Sequence, residues 1–110
     1  MQRTFLQTKE FTERWDSFKL TDEDLRILEE LILTKPHLGK VIKGTGGLRK
    51  IRLPIKNRGK SAGARVCYVD FVEGETIYLV TVYLKKEKSN LTSSEKNQIK
   101  KYVECLKESI

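Results

Sequence analysis

The chain has 110 residues, 38% hydrophobic and 34% charged, and its 22 Lys and Arg outnumber 15 Asp and Glu to leave a net charge of +7. That length suits one domain over residues 1–110, built on a single core, and leaves no room for a second. Apolar runs never exceed four residues and the first stretch, MQRTFLQTKEF, has no apolar signal core, so the expectation is a cytoplasmic protein with neither a membrane span nor a leader.

Arg3 to Gln7 reads as a short first strand. Phe11, Trp15 and Phe18 then recur at i, i+4 and i+7 along one helix stripe, which reads as core or inter-helix packing, with nucleic-acid stacking as the alternative. Thr21 and Asp24 form a capping-box start for a second helix with Leu25, Leu28, Leu31 and Ile32 on its apolar face, ending near Thr34 because Pro36 disfavours helix at Lys35. The two helices are expected to pack as a hairpin.

Gly39 and Gly44 to Gly47 read as turns, followed by a strand over Leu48 to Leu53. Alternation sends Lys50 and Arg52 to one face and Ile51 and Leu53 to the other. After a polar loop, Ala64 to Phe71 forms a second strand, with Arg65, Cys67 and Val69 opposite Val66 and Tyr68. Thr76 to Leu84 forms a third strand. Thr92 and Glu95 then open a final helix carrying Ile99, Tyr102, Val103 and Leu106 on one face. Short connections make the three strands an antiparallel meander, and the order is β-α-α-β-β-β-α, an α+β fold. Cys67 and Cys105, 38 residues apart, lack a partner at metal-ligand spacing and read as reduced core or boundary thiols.

Charge is segregated along this order. From Leu31 to Val69 there is no Asp or Glu but ten Lys or Arg, so the remainder of the chain sums to +7 − 10 = −3. Such segregation points to a polyanion. Gly59-Lys60-Ser61 fails as a phosphate loop because Pro54 stands where its first glycine belongs, and Gly44-Thr45-Gly46 fails as a dinucleotide fingerprint because Arg49 stands at the last position. His37, the only histidine, reads as a surface loop residue or, alternatively, a base.

The run GTGGLRKIR, followed by Gly63-Ala-Arg65-Val-Cys-Tyr68 and by Tyr83-Leu-Lys-Lys-Glu-Lys-Ser-Asn-Leu91, resembles the RelE/HigB family of bacterial toxins, and the HigB-type branch most. The resemblance covers roughly Leu20 to Leu106. It implies a twisted antiparallel sheet with helices packed on one side, and a ribosome-dependent, metal-independent endoribonuclease that cuts translated mRNA in the A site without a cofactor. It also implies neutralisation by a HigA-like antitoxin with a DNA-binding helix-turn-helix, through which alone the toxin would meet operator DNA. The family's catalytic positions are matched here by Lys50, Arg52, Arg65, Lys85 and Lys86, with Lys43, Arg49, Lys56, Arg58, Lys60, Tyr83 and Lys88 as further RNA-binding residues.

Cleavage by the family's route sends the 2′-hydroxyl onto the adjacent phosphorus, and needs a base, cations for the phosphoryl oxygens and an acid for the leaving oxygen. Arg65 suits the phosphate by its rigid fork of donors, Arg52 stabilises without taking a proton, and Lys50 serves as base only if like charge around it eases deprotonation. Two positions depart from the family. Leu91 and Thr92 stand where some members carry a base-stacking tyrosine, leaving Tyr83 or Tyr68 as substitutes or as sheet packing, and Arg52 replaces a lysine of some relatives. The competing functions are a gyrase poison of the same superfamily and a basic RNA- or DNA-binding module without catalysis.

Overall fold

The computed structural model describes residues 3–55, 63–88 and 90–108. In chain order the elements are β1 (Thr4–Gln7), α1 (Lys9–Ser17), α2 (Asp22–Thr34), β2 (Lys40–Val41), β3 (Arg49–Leu53), β4 (Ala64–Phe71), β5 (Thr76–Leu84) and α3 (Ser93–Glu108). The expected α+β order holds, with the two-residue β2 as an addition.

All five strands form one sheet in the order β1-β5-β4-β3-β2. The meander of β3, β4 and β5 is antiparallel, and β2 pairs antiparallel with β3. β1 departs from the expected antiparallel pattern, running parallel to β5 with Thr4 opposite Thr76. The chain leaves β1 through the two helices, reaches the far edge at β2 and returns through the meander, so β5 arrives beside β1 pointing the same way.

Helix starts are local and legible. Thr8 caps α1, accepting from the Phe11 N–H at 3.0 Å, while its own hydroxyl donates to the Val80 carbonyl at 2.6 Å and pins the helix to β5. Thr21 and Asp24 form a reciprocal capping box, as do Thr92 and Glu95, where the Thr92 N–H donates to Glu95 Oε1 at 2.8 Å and the Glu95 N–H to Thr92 Oγ1 at 3.1 Å. Each such cap contributes about 1 kcal/mol.

The helices do not share one side of the sheet. Phe11 and Trp15 of α1, stacked with ring centroids 5.4 Å apart, and Leu28 and Ile32 of α2 pack with Ile51, Leu53, Val66, Tyr68, Ile77 and Leu79. Val103 of α3 packs with Cys67, Val69, Phe71 and Val80 on the opposite face. The reason lies in β4 and β5, whose near-continuous apolar runs put hydrophobic side chains on both faces, and a sheet apolar on both faces needs cover on both. No described helix is long and apolar enough to cross a membrane.

A bulge in β5 sets where its C-terminal half points. Cys67 pairs with Thr81 but Tyr68 pairs with Leu79, which leaves Val80 as an extra residue. Strict alternation from Ile77 would carry Tyr83 to the α1–α2 side; the extra residue reverses the phase and puts Tyr83 in the α3-side cluster, directly opposite Arg65.

The GTGG run is the turn joining β2 to β3. Gly44, Gly46 and Gly47 have φ of +82°, +76° and +116°, a region that penalises any residue with a Cβ. Thr45 is buried between them, donating to the Ile42 carbonyl at 2.6 Å and accepting from the Leu48 N–H at 3.1 Å. Lys107 of α3 reaches back to the Gly46 carbonyl at 2.8 Å, so the turn also seats the last helix.

Of the two cysteines, only Cys67 is a core residue; Cys105 is exposed on α3. Burial pushes the Cys67 thiol up to about 12. The native protein at pH 8 is therefore expected to consume one equivalent of a thiol-disulfide reagent quickly, at Cys105, with the second reacting only on unfolding. Two fast equivalents would contradict the burial of Cys67.

Candidate active site

Lys50 and Arg52 of β3 and Arg65 of β4 share the face that α3 covers, because Ile51, Leu53 and Val66 between them take the other. Arg52 stands directly opposite Arg65, and Lys50 opposite Cys67. Placing two guanidinium groups as a cross-strand pair is unfavourable by itself. Arg65 is also only 8% exposed, and it forms no hydrogen bond or ion pair with any described residue. No Arg65 nitrogen is among the buried atoms left without a partner, so the side chain is covered while its guanidinium end stays open at the surface, without a counter-ion among the described residues.

Beneath these cations lie Cys67, Thr81 and Tyr83, all buried. The rim comes from the connection between β5 and α3. Lys50 Nζ donates to Asn90 Oδ1 at 3.2 Å. Lys88 Nζ donates to Glu95 Oε2 and lies 5.2 Å from the centroid of the Tyr83 ring. The Lys88 hydrogen bond, followed by the Thr92 N–H, holds the Glu95 carboxyl below the usual carboxylate range. Lys85 and Lys86 are exposed in the turn after β5. That turn is braced by Glu87, which accepts from the Leu84 N–H at 3.1 Å and from Arg14 Nη2 at 3.3 Å.

Asn90 and Glu95 are the site residues that sequence reasoning missed. The signal for Glu95 was its own capping box, which folds the carboxylate back toward the lysine-rich segment it follows.

The other expected RNA contacts do not all fall on this face. Arg49 lies on the opposite face from Lys50 and Arg52 and is occupied by the loop after α2, donating from Nη1 to the Gly39 carbonyl at 2.8 Å and to the His37 carbonyl at 3.3 Å. His37 sits in that loop, its Nδ1 3.2 Å from Arg49 Nη2 and its Nε2 3.5 Å from Asp70 Oδ2, away from the cationic face. Lys43 is exposed near the β2–β3 turn. Lys56, Arg58 and Lys60 lie outside the described residues. Tyr68 and Tyr83 are fully buried, so neither presents a ring to stack on a base, and Phe11 and Trp15 are core. Among the described residues no three His, Cys, Asp or Glu side chains gather in a way that could hold a metal ion.

The fold recurs in solved structures of E. coli RelE. It matches a free-state double-arginine mutant of E. coli RelE with a TM-score of 0.61 at 21% identity, covering 90% of this chain and 99% of that one. Isolated E. coli RelE matches at 0.56 and 19%, covering 98% and 99% of the two chains. A chain of the intact E. coli RelBE toxin-antitoxin complex matches at 0.53 and 19%, covering 73% and 93%. A family model described as the RelE toxin of the RelE / RelB toxin-antitoxin system matches residues 3–109. The chain belongs to the RelE toxin family.

Proposed function

We propose that this toxin is a ribosome-dependent mRNA endoribonuclease that cuts translated mRNA in the A site and so inhibits translation. The observation that carries the reading is Arg65, a largely buried arginine whose guanidinium has no described partner, at the centre of a face shared with Lys50 and Arg52. A phosphodiester supplies the anion this arrangement lacks.

In this reading Arg65 holds the non-bridging oxygens of the scissile phosphate, and Arg52 adds charge stabilisation from the next strand. The 2′-oxygen forms its bond to phosphorus as the bond to the 5′-oxygen breaks, giving a cyclic phosphate and a free 5′-hydroxyl. The 2′ proton passes to Lys50 once it is deprotonated and freed from Asn90, and Lys85 or Lys86 at the exposed exit of β5 returns a proton to the leaving oxygen. The ribosome contributes by holding the mRNA in line, an orientation worth several kcal/mol that an open surface cannot impose.

The partner that silences the toxin is an antitoxin protein, a reading supported by the likeness to a chain of the E. coli RelBE toxin-antitoxin complex. The GTGGLRKIR run favours the HigB-type branch and hence a HigA-like partner, with toxin and antitoxin both in the cytoplasm.

Primer extension on a translated reporter mRNA after brief induction tests the function, with an untranslated copy alongside. Codon-phased cuts are expected in the translated message only. Growth arrest without cuts would overturn the nuclease and favour a gyrase poison or a pure nucleic-acid binder.

A further inference from the structure

The Tyr83 hydroxyl is buried and has no hydrogen-bond partner among the described residues. A phenol left in this state costs about 1 to 3 kcal/mol, and phenylalanine would fill the same space without that cost. The bulge at Val80 is what brings this hydroxyl-bearing side chain opposite Arg65 in the β4–β5 register, and bulges beside sites commonly re-aim a side chain in this way. A buried phenol and a guanidinium, neither with a partner among the described residues, thus stand as cross-strand neighbours on one face of one sheet.

We propose that Tyr83 and Arg65 form a single phosphate cradle, in which the Tyr83 hydroxyl donates a hydrogen bond to a non-bridging oxygen that Arg65 also holds. The cradle deepens the nuclease reading, and its ligand is the phosphodiester of that reading. Tyr83 acts as a donor and not as a stacking platform, since its ring is covered by Lys88 and packed with Leu91 and Val103. Access requires Lys88 to leave Glu95, an exchange of one anionic partner for another that an entering phosphate favours. Burial also raises the phenol to about 12, so it remains a protonated donor at neutral pH.

Tyr83→Phe separates this proposal from a merely structural tyrosine. Inorganic phosphate titrated into the free protein, followed by thermal shift, is expected to bind about tenfold more weakly to Tyr83→Phe than to wild type, while the phosphate-free variant melts higher. On ribosomes the variant is expected to lose about 10- to 100-fold in kcat with little change in KM, because the bond strengthens as charge gathers on the phosphoryl oxygens. Equal phosphate affinity in the two proteins overturns the cradle. A wild type that binds phosphate more tightly than the variant, yet cuts nothing on ribosomes, supports the cradle and defeats the nuclease reading.

Discussion

Arg65→Met is expected to abolish toxicity and raise thermal stability together. The substitution keeps an apolar side chain of similar length and removes only the guanidinium, which has no described partner and faces Arg52 across the strand pair. Relieving that like-charge contact is worth up to about 1 kcal/mol, a rise of up to about 4 °C in melting temperature for a domain of this size. Loss of the group that neutralises the transition state costs about a thousandfold in cleavage. Arg65→Ala has the same functional effect, with part of the stability gain offset by the space it leaves. Calorimetry and a growth assay on the same variants decide the matter: growth arrest retained by a stable, expressed variant would remove Arg65 from the site, and a lowered melting temperature for the Met variant would show that the guanidinium has a structural partner.

The part of the site carried by local periodicity was legible in the sequence. Lys50 and Arg52 share a face because strands alternate, and Arg65 joins them because β3 and β4 pair as an antiparallel hairpin. What depended on a break in periodicity or on helix docking was not. The phase of β5 changes at Val80, so the destination of Tyr83 depends on a bulge that no residue type announces. Asn90 and Glu95 meet their lysines only because α3 closes the second face of the sheet, a placement hidden in the apolar runs of β4 and β5, which by themselves read as ordinary strands. Arg49 shows the reverse case. Its charge contributes to the acid-free window, yet its donors serve the backbone of the loop after α2, and a count of basic residues cannot distinguish a cation held by carbonyls from one awaiting an anion.

That loop governs the second large effect expected of this protein. Gly39 reads in the sequence as a turn glycine, but its requirement is space. Its N–H donates to Tyr68 Oη at 3.2 Å, Tyr68 Oη donates to the Pro36 carbonyl at 2.8 Å, and Arg49 binds the Gly39 carbonyl. A Cβ added at Gly39 would lie 2.9 Å from the Lys50 carbonyl oxygen and 3.0 Å from Tyr68 Oη. Neither can retreat easily, since one is backbone of β3 and the other is a buried hydroxyl hydrogen-bonded on both sides. Gly39→Ala is therefore expected to cost about 2 to 3 kcal/mol, lowering the melting temperature by roughly 10 °C, and to weaken toxicity because the strand pushed aside carries Lys50 and Arg52. Removing the hydroxyl tests the cause. Tyr68→Phe alone loses two hydrogen bonds and destabilises, but in combination with Gly39→Ala it also clears one of the three close approaches, the third being the Tyr68 ring carbon Cε1 at 3.1 Å, so the double variant is expected to be more stable than the sum of the single losses. Strict additivity in denaturant titrations would assign the strain to the Lys50 carbonyl and the Tyr68 ring rather than to its hydroxyl, and a melting temperature unchanged in Gly39→Ala would show that the loop after α2 is not held against β3 as described.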